Sequence, residues 1–190
     1  MEQTKRNRSV WQAALIGIKL LLICAIVAGI VSFVYALTKS TYEKNIQQTK
    51  NQAIGEIFEK DGLTCEAFAE GESGEVFYVV FDGNTPIGYC AEVASGGFGG
   101  DISLMVGYDN DCAVLGVSVI AHSETPGLGA KILNEDFLAQ YEGQSGEILL
   151  GEDVDAIVGA TISSRAVTDG INRATEGLLK QMDGVGGEAE

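Results

Sequence analysis

The sequence predicts an α+β protein in which one N-terminal transmembrane helix is followed by an antiparallel-rich sheet with helices packed on it. Three observations predict it. Residues 20–37, LLLICAIVAGIVSFVYAL, run for 18 positions without a charge. Between residues 75 and 121 lie four runs rich in β-formers, joined by connections of hairpin length. Residues 163–182 then set Val167, Ile171, Ala174 and Leu178 at helical spacing. Strands first and helices afterwards is the order of a segregated α+β domain.

The first element is an anchor. Apolar character continues back from residue 20 through Ile18, Ile16 and Leu15, interrupted only by Lys19. At about 1.5 Å per residue, 18 to 23 residues span roughly 27–34 Å, the thickness of a bilayer core. A signal peptide competes, because Lys5, Arg6 and Arg8 look like its basic end. The run is too long for one, however, and Tyr35-Ala36-Leu37-Thr38-Lys39 makes a poor cleavage site. Lys19 can extend its ammonium to the headgroups. The basic flank keeps the N-terminus cytoplasmic and puts the body outside, with Lys39 and Lys44 reducing the contrast. Within the helix, Ala25, Ala28, Gly29 and Ser32 leave two readings, a bland tether or a small-residue face for a partner helix.

A connecting helix over 39–60 follows, with Ile46, Lys50, Ala53, Ile54, Ile57 and Phe58 at helical intervals. Residues 75–81 and 86–94 form a hairpin about the turn 82–85, and residues 102–108 and 113–121 extend the meander. Residues 131–141 read as a short helix, 154–158 as a buried strand, 163–182 as the closing amphipathic helix and 183–190 as a flexible tail. The expected division is therefore a cytoplasmic basic flank (1–11), a transmembrane helix (12–38), the connecting helix (39–60), an extracytoplasmic domain (61–182) and the tail.

Charge and composition narrow the function. The 190 residues are 46% hydrophobic, which excludes a disordered chain. Residues 1–40 hold five Lys/Arg against one acid, and residues 41–190 hold seven against 26. A body this acidic repels a phosphate backbone, so nucleic acid is not a partner. Cys65, Cys90 and Cys112 have no metal-binding spacing and read as core residues or as one disulfide with one left over. A single histidine and scattered carboxylates give no metal site and no catalytic residue.

Three segments are candidates for chemistry. The glycine run 96–100 leads into a strand, not a helix, so it is no phosphate loop; it is a tight connection or a backbone lying close to a flat ligand. Residues 122–129, HSETPGLG, form a polar turn that is either structural or a binding loop. Residues 155–165, DAIVGATISSR, run from strand to helix through hydroxyl residues. Free N–H groups at that junction suit an anion, and plain helix capping suits it as well.

The anchor, then HSETPGLGAKI, then DAIVGATISSRAV before a final helix, resembles the G subunit of the Rnf electron-transport complex and, more distantly, the C subunit of the sodium-translocating NADH:quinone reductase. The resemblance implies an FMN-binding domain outside the cytoplasm, with FMN joined by a phosphoester to a threonine hydroxyl. The attachment motif is Asp, two variable residues, Ser or Thr, then Gly-Ala-Thr. Asp155, Gly159, Ala160 and Thr161 match it, so Thr161 is the implied linkage residue; Val158 stands where the hydroxyl is usual. Ser163, Ser164 and Arg165 also match. By the same resemblance Glu124, Thr125, Gly127, Leu128 and Gly129 contact the flavin, Leu128 on its face and Glu124 and Thr125 at its polar edge.

The implied function is relay of electrons through FMN in a cell-membrane complex coupling ferredoxin:NAD+ electron transfer to ion translocation. The chain would act as one component of that oxidoreductase, without a complete active site of its own. Implied partners are the other components of the Rnf complex, the membrane-embedded A, D and E proteins and the peripheral B and C proteins, and a flavin transferase. Two other readings stay open: an FMN domain of another extracytoplasmic reductase, and an anchored binding or sensory module without covalent flavin.

Overall fold

The computed structural model describes residues 2–186, with side chains for residues 17–35, 38 and 45–182. It divides into two units, residues 1–46 and 47–190. Helix α1 (Glu2–Ile57) supplies the first unit and contains Gly17–Tyr35, a span long and apolar enough to cross a membrane. Every side chain of that span is exposed, among them Leu20, Ile26, Ile30 and Phe33, as lipid-facing side chains are. The side chains of Lys5, Arg6, Arg8, Lys39 and Lys44, on which the expected orientation rests, lie outside the described residues.

The separate helices expected over 12–38 and 39–60 are one helix, because no Gly or Pro interrupts residues 30–54. It stops where Glu59 turns left-handed (φ 51°) and the Lys60 N–H bonds back to the Gly55 carbonyl at 3.0 Å.

In the second unit five antiparallel strands pair in chain order: β1 (Thr64–Glu70), β2 (Val76–Asp82), β3 (Thr85–Gly96), β4 (Asp101–Tyr108) and β5 (Val114–Ala121). Sequence reading missed β1. Its TCEAFAE has two carboxylates and no aliphatic β-branched residue, and pairing with β2 makes it a strand. Alternation along β4 sorts the core. Ile102, Leu104, Val106 and Tyr108 join the cluster that includes Val167, Ile171, Ala174 and Leu178 of helix α3 (Thr161–Gly186), while Met105 joins Ala53 and Ile54 of α1. The sheet is thus covered on both faces, by α3 on one and by the end of α1 on the other.

Small residues let α3 lie close. A Cβ on Gly170 would sit 3.0 Å from Leu104 Cδ1, and one on Gly177 would sit 2.6 Å from Phe77 Cζ. Two buried hydroxyl pairs fix its rotation: Tyr108 with Thr175 at 3.1 Å and Tyr141 with Thr168 at 2.8 Å. Burial pushes the Tyr141 phenol up to about 12, against the lowering effect of its Thr168 bond.

Two further expectations are corrected. The helix expected over 131–141 is three pieces, a 3-10 turn (Gly129–Leu133), the four-residue α2 (Glu135–Leu138) and a 3-10 turn (Ala139–Tyr141), because Asn134 is extended (ψ 130°) and restarts the chain. The strand expected over 154–158 is a single bridge, Leu150 to Val154, after which Val158 stands 92% exposed. The closing helix runs from Thr161 to Gly186, and residues 187–190 of the expected tail lie outside the described residues. All four cysteines are free; Cys112 Sγ lies 3.2 Å from Met182 Sδ, and burial raises the Cys90 thiol, with Cys65 adding to the effect.

Candidate functional site

Three segments distant in sequence meet at the start of α3, and each is there for a local reason. The glycine turn closes the β3–β4 hairpin, with the Gly97 N–H bonded to the Gly100 carbonyl at 2.9 Å and Gly100 at φ 149°. The loop after β5 curls through Gly127 (φ 76°), and the Thr125 carbonyl accepts the N–H groups of Leu128 and Ala130 at 3.2 and 3.1 Å. Residues 157–160 turn through Gly159 (φ 82°) into α3, the Ala160 N–H bonding to the Ile157 carbonyl at 2.9 Å.

These segments enclose a cavity of about 290 Å³, at the lower end of the range for small-molecule sites. Its floor holds Glu124, 5% exposed. Glu124 Oε1 accepts the Phe98 N–H at 2.7 Å and the Gly99 N–H at 3.2 Å, and Oε2 accepts the Ser163 hydroxyl at 2.8 Å. Its own N–H donates to His122 Nδ1 at 3.1 Å. The neighbours must be glycine: a Cβ on Gly97 would collide with Glu124 Oε1, and one on Gly129 with Oε2.

The rim is apolar and exposed, with Phe98 at 69%, Ile162 at 56% and Leu128 at 45%. At its mouth Thr161 opens α3 with its side chain in solvent. The first helical bond there runs from the Ser164 N–H to the Ala160 carbonyl at 2.9 Å. Among the described residues, the N–H groups of Thr161, Ile162 and Ser163 have no acceptor, which leaves the positive end of the helix open to an anion.

Of the residues singled out from sequence, Glu124, Thr125, Leu128, Gly129, Gly159, Ala160, Thr161 and Ser163 line this cavity. Gly127 shapes the loop without lining it. Ser164 is fully buried and works inward, accepting the Ile157 N–H and donating to the Ala160 carbonyl, both at 3.0 Å. Asp155 is exposed and does not line the cavity, its N–H held by Gln140 Oε1 at 2.8 Å. Sequence reasoning offered the backbone of 96–100 as a place for a flat ligand without naming the Phe98 side chain, and missed Ile162. Their signals were present: an aromatic flanked by glycines, and a bulky apolar residue in the first turn of a helix otherwise started by hydroxyls.

The residues fit a flat cofactor that carries a phosphate. Apolar side chains suit the faces of a ring, unpaired N–H groups suit a phosphate, and an exposed hydroxyl is available for esterification. A larger cavity of about 540 Å³ is lined by residues 51–65 alone, with no candidate from the motifs.

The FMN-binding domain family matches residues 97–176, from the glycine turn well into α3. The G subunit of the proton-translocating ferredoxin:NAD(+) oxidoreductase complex of Clostridium ljungdahlii is 30% identical over 160 residues, covering 80% of this chain and 84% of that protein. The G subunit of the ion-translocating oxidoreductase complex of Methanosarcina acetivorans is 31% identical over 176 residues, covering 86% and 93%. The crystal structure of the C subunit of the Na(+)-translocating NADH-quinone reductase from Parabacteroides distasonis shares the fold, with a TM-score of 0.57 at 20% identity over 74% of this chain and 95% of that one.

Proposed function

Because the chain belongs to the family of G subunits of ion-translocating oxidoreductase complexes, we propose that it is the membrane-anchored component that relays electrons through FMN joined covalently to Thr161. The observation that carries this is the coincidence at one point of an exposed Thr161 hydroxyl, three unpaired N–H groups and an apolar-rimmed cavity. FMN supplies reversible electron acceptance. The chain's own residues do the rest.

Thr161 makes the phosphate link, and the N–H groups of the first turn of α3 balance its charge. Leu128, Phe98 and Ile162 cover apolar ring surface, and Thr125 is the hydroxyl at the loop that can address its polar edge. Gly159 and Ala160 bring the backbone close, with no side chain larger than methyl between the turn and the cavity. Asp155, Ser164 and Arg165 belong to the surroundings of the linkage; Ser164 holds residue 157 to the helix start. A covalent link matters for a carrier facing open water, because it removes loss of cofactor by dissociation.

The span Gly17–Tyr35 is the single membrane crossing, with the N-terminus cytoplasmic and the FMN domain outside. The boundaries proposed are those expected from the sequence, with the anchor and connecting helix continuous. Its partners are the remaining proteins of the complex, A to E, and a flavin transferase acting on Thr161. The experiment is intact mass and in-gel flavin fluorescence of the denatured full-length chain expressed with the transferase. The expected result is an added FMN phosphoryl ester on wild type and none on Thr161→Ala; an unmodified Thr161 in wild type sinks the proposal.

A further inference from the structure

The family resemblance implies a place for Glu124 at the flavin's polar edge, yet its carboxylate is engaged by the chain itself. Both oxygens are engaged, by donors from two segments on either side of the cavity, the backbone of Phe98 and Gly99 and the side chain of Ser163. Glu124 is 5% exposed, Ser163 1%. Gly97 and Gly129 lie so near the two oxygens that a Cβ on either would collide with one, so the carboxylate is fixed between the two segments. No other side-chain bond among the described residues ties the glycine turn to α3's first turn.

We infer that Glu124 is a positioning residue: its carboxylate couples the Phe98 wall to the start of α3, so that the ring surface and the linkage residue Thr161 are set by one group. This rests on the flavin reading for its consequence but not for its geometry. Three donors converging on one buried acceptor also explain why the exposed turn 97–99 has a defined place: removing the acceptor orphans two N–H groups and a hydroxyl at once.

The test uses the full-length protein in two forms. In flavin-free Thr161→Ala protein, amide exchange at Phe98 and Gly99 is followed in Glu124→Ala, Glu124→Gln and Ser163→Ala backgrounds. Glu124→Ala is expected to accelerate it roughly tenfold or more. Ser163→Ala, which touches neither amide, is expected to accelerate it as well, and to add nothing once Glu124 is alanine. Glu124→Gln is expected to restore protection, its carbonyl accepting the two N–H groups and its amide donating to the Ser163 oxygen. If Glu124→Ala does not fold, the Gln and Ser163 variants still decide.

In Thr161-intact protein, Glu124→Ala is expected to lower covalent flavin per chain and the anisotropy of its fluorescence, with Glu124→Gln returning both towards wild type. Wild-type exchange in Ser163→Ala, equal increments in both backgrounds, or unchanged flavin anisotropy in Glu124→Ala would each overturn the inference. Wild type without flavin overturns the function proposed above and leaves the exchange result to judge Glu124.

Discussion

Two of the cavities in the sheet domain differ in a way that volume does not measure. The larger, about 540 Å³, is walled by residues 51–65, the end of α1 and the stretch that follows it. The smaller, about 290 Å³, draws its walls from residue 98, from 124–129 and from 159–163. A hollow made by one continuous stretch is the by-product of a chain reversal. One made by three separated segments around a buried carboxylate needs the whole fold to exist, and it combines unpaired donors with an apolar rim. Convergence, more than size, marks the site.

The largest expected effect breaks that convergence by sterics. Gly97→Ala or Gly129→Ala drives a methyl into a Glu124 oxygen, so covalent flavin per chain should fall to a small fraction of wild type. Gly62→Ala in the larger cavity meets nothing within 4 Å; although its φ of +78° adds strain, flavin loading should stay near wild type in mass spectra. Equal loss at the two cavities would erase the distinction.

Next comes the platform. Ile171→Ala empties a fully buried position between α3 and the sheet and should cost about 2–5 kcal/mol in denaturant unfolding, while leaving the turn at 97–99 in place. Leu128→Ala is milder for stability, since the side chain is half exposed, and should raise flavin fluorescence as ring surface opens to water.

Smaller still is the dependence on pH. Tyr141 has its phenol raised to about 12, chiefly by burial, against an unfolded value near 10. The folded state therefore keeps the proton longer. Its contribution is complete below pH 10 and is lost as pH rises towards 12, so Tm should fall over that window. Tyr141→Phe should make the fall shallower and cost about 1 kcal/mol at neutral pH for the lost Thr168 bond. Smallest is Val158→Thr. At 92% exposure the side chain bonds to nothing and does not line the 290 Å³ cavity, so stability should change by less than about 0.5 kcal/mol and flavin loading should be unaltered.

What was legible follows the range of the forces. Residues 75–121 declared their strands because alternation and turn residues act over two to four positions, and the apolar stripe of α3 declared itself over one turn. Segment 154–158 misled because an apolar run looks the same whether or not a partner strand is present; here one bridge forms and Val158 is left in water. The site was legible in part. Thr161 and the loop 124–129 carry recognisable motifs, whereas Phe98 and Ile162 become walls only when β3–β4 and α3 are brought together.

By itself, then, the sequence determined the apolar span, the meander, the closing helix and the hydroxyl at its start, each a matter of neighbours along the chain. Only the tertiary structure decided that the sheet is covered on both faces and that Glu124 faces Phe98, Gly99 and Ser163 instead of solvent. The reason is physical: a hydrogen-bond partner 25 or 39 residues away is chosen by packing, and no local propensity encodes it.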